Sequence, residues 1–228
     1  MSEKPGDSQQ SLICVVDDDE DVRSSISSLL RSVGYRVKTF AGPQDFLASD
    51  AVDDASCLIL DIRLGEADGL EFQQELVAAD TPIPIILISG HGDIPMTVRA
   101  MKAGAVNFLP KPFDEAVLLV GVGEAVSRAR QKRSEADRDH SLRMHYESLT
   151  SREREVMGLV TAGLMNKQIA WQLSLSEITV KIHRGNMMRK MQAKSLAELV
   201  RMADALGVRA APAAKLDGRR REPPLSQH

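Results

Sequence analysis

The chain has 228 residues, 43% hydrophobic and 27% charged. That length suits two ordinary domains, and that composition excludes wholesale disorder. Its only two cysteines, Cys14 and Cys57, lie inside apolar runs, which excludes a secreted disulfide scaffold and reads as core filler in a reducing compartment. No apolar stretch approaches the ~18 residues of a membrane span, and residues 1–11 are polar with no signal-peptide core. The expectation is therefore a cytoplasmic protein with no membrane contact. The formal net charge of −3 hides an asymmetry: residues 1–127 carry 9 Lys and Arg against 21 Asp and Glu, while residues 128–228 carry 20 against 11. An acidic half suits a metal ion and a basic half suits a polyanion.

Residues 12–16 are a short apolar strand pattern, followed over 21–33 by helical spacing that puts Val22, Ile26, Leu29, Leu30 and Val33 on one face, with Gly34 as the stop. A strand over 36–40 follows, and Pro43 opens a helix running to Leu47. Strand patterns over 57–60, 85–88 and 106–109 then alternate with helices over 70–78, 95–103 and 114–130. Five strands in βα alternation predict a doubly wound parallel sheet covered by helices on both faces. In such sheets the ligand site lies outside the carboxyl ends of the strands. Those ends bring Asp17, Asp18, Asp61, Ser89 and Lys111 to one edge.

Residues 128–147 are rich in Arg, Asp, Glu and Ser and read as a charged helical linker, a semi-rigid spacer. Four short helices are predicted beyond it. Thr150-x-x-Glu153 is a capping box for the first, and the second covers 166–173. After a polar turn at 174–176 the third runs to about 191, and Ser195-x-x-Glu198 caps the fourth. The Ala/Pro/Arg-rich stretch 209–228 is expected to be disordered.

Clustered carboxylates at strand ends repel one another and suit a hard divalent cation such as Mg²⁺, which takes oxygen ligands and keeps several waters. A carboxylate beside such an ion can act as nucleophile toward a phosphoryl group, with Lys111 and Ser89 binding its oxygens. Val15-Val16-Asp17-Asp18-Asp19, Leu58-Ile59-Leu60-Asp61, Ile88-Ser89-Gly90-His91-Gly92-Asp93 and Phe108-Leu109-Pro110-Lys111-Pro112 resemble, in order and spacing, the receiver domain of two-component response regulators. The resemblance covers residues 10–127 and implies a flavodoxin-like fold with Asp61 as phosphoacceptor. It further implies Asp17, Asp18, Asp61 and the Arg63 carbonyl as Mg²⁺ ligands, and Ser89 as the hydroxyl that follows the phosphoryl group. Phe108 would be the switch aromatic, Lys111 the phosphate-binding lysine, and the 111–112 peptide bond cis. One departure is Arg63-Leu64-Gly65 where the family commonly has an Arg-Met-Pro-like run; Gly65 is expected to loosen that loop and leaves the phosphorylation lifetime open.

In the basic half, helix, tight turn and helix is the geometry that fits the DNA major groove. The third helix places Val180, Met187 and Met191 inward, with Lys181, Arg184 and Gly185 expected outward. Leu149-Thr-Ser-Arg-Glu-Arg-Glu-Val156, Asn166-Lys-Gln-Ile-Ala170, Thr179-Val-Lys-Ile-His-Arg184 and Lys190-Met-x-x-Lys-Ser195-Leu196 resemble the LuxR-type output domain of NarL/FixJ response regulators. This second resemblance covers 148–208, and residues 92–104 point to the FixJ-like branch. It implies Lys181, Ile182 and Arg184 near bases and Thr179 and Lys190 near phosphates, with one base contact missing where some relatives have lysine in place of Gly185.

Together the resemblances imply a response regulator rather than an enzyme: a sensor histidine kinase phosphorylates Asp61, the face made by the fourth helix, fifth strand and fifth helix changes, a homodimer forms, and the output domain binds promoter DNA beside RNA polymerase. Two rivals remain open at this point, a Mg²⁺-dependent phosphohydrolase using Asp61 and a regulator that works without phosphorylation. Trp171 is expected inside the helix pair, His183 to pin the recognition helix, and Met96, Met101 and Met187 to fill core or interface.

Overall fold

The computed structural model describes residues 11–208 apart from 66, 80, 82 and 91–93; the polar start, the tail at 209–228 and the 91–93 part of the loop motif lie outside the described residues. Two compact units divide between Glu135 and Ala136. The first contains β1 (Leu12–Val16), α1 (Glu20–Ser32), β2 (Arg36–Phe40), α2 (Pro43–Leu47), α3 (Ala51–Asp54) and β3 (Ala55–Asp61). It continues through β4 (Arg63–Leu64), β5 (Ala67–Asp68), α4 (Gly69–Ala78), β6 (Ile85–Ser89), α5 (Ile94–Lys102), β7 (Asn107–Pro110) and the start of α6 (Glu115–Glu147).

The main sheet is parallel throughout, in the order β2-β1-β3-β6-β7, and is the doubly wound fold expected from the alternation. Strand alternation splits its side chains between two cores. Leu12, Cys14, Val16, Leu58, Leu60 and Leu87 face α2 to α5, and Ile13, Val15, Cys57, Ile59, Ile86 and Ile88 face α1 and α6. The central strands are buried on both faces, which is why they read as unbroken apolar runs. Burial pushes the Cys14 thiol up to about 12, so it behaves as an apolar filler.

Two local features were not foreseen. The short α3 precedes β3, and β4 and β5 pair antiparallel just after the sheet, Arg63 opposite Asp68 and Leu64 opposite Ala67. Gly65, which follows β4, takes φ of 64°, the left-handed conformation that glycine adopts without a Cβ penalty. At Gly69 a Cβ would stand 2.2 Å from the Asp61 carbonyl oxygen, so only glycine lets the chain return this close to the strand end.

The second unit holds the end of α6 with α7 (Ser151–Thr161), α8 (Asn166–Leu173), α9 (Glu177–Lys190) and α10 (Leu196–Ala205) around one apolar core. Thr150 makes the capping box with Glu153 through both expected bonds, and Ser176 and Ser195 cap α9 and α10. The stretch read as a linker is part of one unbroken helix, α6. Leu118, Val122, Ala125 and Val126 belong to the first core, Leu142 and Tyr146 pack on the second, and residues 131–141 are all exposed. No helix among the described residues is long and apolar enough to cross a membrane.

Candidate functional site

The ends of β1 and β3 and the residues after β7 converge. Asp17 follows β1 and is fully buried, and Asp61 ends β3 at 5% exposure. Lys111 comes just after β7, and its amide donates to the Ser89 carbonyl at 2.7 Å, which ties the lysine to the end of β6. The Lys111 Nζ then lies 2.7 Å from Asp17 Oδ2 and 2.7 Å from Asp61 Oδ2. The expected cis bond joins Lys111 to Pro112. Asp18 is exposed, yet one oxygen each from Asp17, Asp18 and Asp61 lies within 4.8 Å of the others.

Local structure explains why the carboxylates stay put. Asp19 caps α1 by accepting from the amides of Asp21 and Val22, and its own amide donates to Asp17 Oδ1 at 2.9 Å. Arg23, one turn into α1, donates to the Asp17 carbonyl at 2.6 Å. The Arg63 amide donates to Asp61 Oδ1 at 3.3 Å. Burial holds the Asp17 carboxyl above its ordinary range, with Lys111 opposing and the Asp61 charge adding to the rise. Burial also disfavours the Lys111 ammonium, but its bonds to Asp17 and Asp61 outweigh this and raise its pKa. One ammonium facing three carboxylates leaves net negative charge at an all-oxygen set, which fits a hard cation such as Mg²⁺. Ser89 is fully buried at the end of β6, and Phe108 is half-buried against the core shared with α2 to α5.

In the second unit α8 and α9 flank the turn at residues 174–176, where Ser174 adopts φ of 54°. Val180, Met187 and Met191 are fully buried, so the opposite side of α9 is its outer face. Lys181 is exposed there, and Ile182 is 58% exposed. Arg184 departs from the expected outward position: it is half-buried, and its NH1 donates to Asn166 Oδ1 at 3.2 Å, because position 184 lies about 40° from the buried line through Val180. Lys190 is also turned inward, bonding Glu153 Oε2 at 2.7 Å and the Ser148 carbonyl at 3.2 Å. Thr179 donates its amide to Ser176 Oγ, and its hydroxyl lies 2.8 Å from the same atom.

Residues 13–122 match the response regulator receiver domain family, and residues 147–203 match the bacterial regulatory proteins of the luxR family. Nodulation protein W of Bradyrhizobium diazoefficiens is 50% identical over 89% of each chain, and transcriptional regulatory protein FixJ of Rhizobium meliloti is 42% identical over 85% of this chain and 95% of its own. The chain belongs to the response regulators. Among solved structures, response regulator StyR matches with TM-score 0.80 at 45% identity, covering 86% of this chain and 98% of that one. Full-length FixJ from B. japonicum matches with TM-score 0.52 at 40% identity over 87% and 98%. A receiver joined to a LuxR-type DNA-binding domain makes this response regulator a phosphorylation-dependent regulator of transcription.

Sequence reasoning missed several supporting residues. Asp19 and Arg23 carry visible signals, a capping position before α1 and a basic residue one turn inside it. The Glu153–Lys190 pair joins residues 37 positions apart and has no local signature. Trp171, expected inside the helix pair, is 72% exposed: Ile169 and Ala170 occupy the buried line of α8, and 171 falls outside it. Met187 is core and Met96 packs against the core, but Met101 is 45% exposed. His183 is half-buried on α9.

Proposed function

We propose that Asp61 accepts the phosphoryl group, on the observation that Lys111 bridges Asp61 and Asp17 at 2.7 Å with Asp18 close by. Asp17, Asp18, Asp61 and the Arg63 carbonyl are the Mg²⁺ ligands, and the ion supplies neutralisation of charge on the phosphoryl oxygens. An Asp61 carboxylate oxygen forms the new P–O bond as the bond from phosphorus to the donor, a kinase imidazole nitrogen or an acyl oxygen, breaks and its electron pair leaves with the donor. Lys111 moves from the carboxylates toward the phosphoryl oxygens, Ser89 binds another, and Phe108 follows Ser89 inward. Arg63 stands where a phosphohydrolase would carry a second acid, which favours a single transfer over turnover.

Phosphorylation biases a two-state receiver, phosphorylated chains pair as homodimers, and paired LuxR-type domains hold adjacent half-sites of promoter DNA near RNA polymerase in the cytoplasm. The DNA-contacting set is Thr179, Lys181 and Ile182. Arg184 and Lys190 join it only if they leave Asn166 and Glu153.

With Mg²⁺ and a small acyl phosphate, the full chain is expected to gain one acid- and base-labile phosphoryl group and Asp61→Asn none. Sedimentation and DNA titration are expected to show mass and affinity rising together. Equal labelling of the variant overturns the acceptor assignment. Constant mass and affinity with Asp61 modified overturn the dimer mechanism.

A further inference from the structure

The outer line of α9 is not what electrostatic binding to DNA alone would select. Measured at 100° per residue from the buried line through Val180, Met187 and Met191, the positions opposite are Ile178, Ile182, Gly185 and Arg189, flanked by Lys181 and Asn186. Ile178 is 71% exposed and Ile182 58%, one turn apart at the start of a helix that follows the tight turn. Two large β-branched side chains therefore form the leading ridge of the helix, and the next position along it, Gly185, opens into space.

We infer that Ile178 is a specificity-determining residue that, with Ile182, recognises the 5-methyl groups of thymines in the major groove. This rests on the reading of α9 as the DNA-recognition helix. The thymine methyl is the apolar group that unmodified DNA offers on a major-groove base edge. Lys181 flanks the ridge and Arg189 continues its line farther along the helix, so the surroundings match a polyanion more closely than an apolar protein groove. Branching at Cβ restricts χ1, so both isoleucines present their methyls with little rotamer freedom to lose on binding. Four residues at 1.5 Å rise set the two side chains about 6 Å apart, close to two base-pair steps of about 3.4 Å. The site is therefore a pair of thymines, on the same or opposite strands, about two steps apart within each half-site.

The test uses the full chain, treated with acyl phosphate and Mg²⁺, and a duplex that it selects from a random-sequence pool. Each thymine is replaced in turn by deoxyuridine, which lacks only the methyl. Two positions per half-site, about two steps apart, are expected to lose about fourfold in affinity each. Ile178→Ala is expected to keep the parent melting temperature, because the side chain is exposed, and to bind the parent duplex several-fold more weakly. It is also expected to be insensitive to deoxyuridine at one of the two positions while retaining sensitivity at the other. Equal affinity of Ile178→Ala and parent overturns the inference, as does an unchanged deoxyuridine profile in the variant. In either case the ridge serves another partner and DNA binding itself stands. If the chain selects no duplex, the inference falls together with the DNA reading.

Discussion

Lys111 in the receiver and Lys190 in the LuxR-type domain each place an ammonium 2.7 Å from a buried carboxylate oxygen. Their exposures are similar, 21% and 31%, and the carboxylates they meet are nearly dry in both cases. What differs is the balance of charge. Lys190 meets one carboxylate, Glu153, which also accepts from the Thr150 amide and so closes a neutral cluster that holds the end of α9 against the start of α7. Lys111 meets Asp17 and Asp61 with Asp18 alongside, so carboxylates outnumber the ammonium, an imbalance that a divalent cation would offset. Burial and distance do not separate the two ion pairs; uncompensated charge does. The two domains also invert the usual inside and outside at different places. The receiver carries charge into its interior at the strand ends, and the LuxR-type domain carries isoleucines out to solvent on α9.

Perturbing each side breaks or sharpens that contrast. The largest effect is expected from Gly69→Ala, which drives a methyl into the Asp61 carbonyl and is expected to destabilise the receiver by about 3 kcal/mol in a denaturant titration. A neutral result would show that the backbone beside Asp61 yields. Next, Mg²⁺ at about 100 times its dissociation constant is expected to stabilise the parent by roughly 2.7 kcal/mol, and Asp18→Ala to lose most of that shift. Equal metal-induced shifts in melting temperature would remove Asp18 from the site.

On the balanced side, Glu153→Gln is expected to destabilise the LuxR-type domain by about 1–2 kcal/mol at pH 7, read from urea unfolding followed at its amide signals. Burial opposes the Glu153 charge, but Lys190 and Thr150 outweigh it and hold its carboxyl below 4.5. A carboxyl lowered on folding contributes stability above its unfolded value, so the advantage of Glu153 over Gln is expected to shrink as pH falls below about 4.5. An advantage that persists at pH 2 would contradict this sign. The smallest effect is at Gly185, where a Cβ meets nothing within 4 Å: Gly185→Ala is expected to stabilise α9 by about 0.5–1 kcal/mol, measured by thermal unfolding.

Much of this was legible in the chain because it is written in local patterns. Runs such as Cys57–Leu58–Ile59–Leu60 mark strands buried on both faces, Thr150 and Glu153 mark a helix start, and an aspartate ending a strand marks the site edge of a parallel sheet. The periodicity of α9 likewise separated Val180, Met187 and Met191 as its inner line. The outward placement expected for Arg184 failed because position 184 lies only about 40° from Val180, while the period is silent on Lys190, since whether a long cation faces solvent or folds back depends on acceptors such as Glu153 brought near by tertiary packing. Trp171 was misjudged for a related reason: hydrophobicity alone does not say which side of an eight-residue helix meets its neighbour. The pairing of Arg63 with Asp68 shows the same limit for the backbone, since nothing in the local pattern around Gly65 announces two short antiparallel strands. The sequence by itself determined the order of the main-sheet strands and the longer helices and which residues could carry charge to the strand ends, because periods of two and 3.6 residues and capping chemistry act over a few positions. Only the tertiary structure decided which charges balance and which do not, because the Coulomb partner of Lys111 lies 94 residues away at Asp17, and that of Lys190 lies 37 away at Glu153.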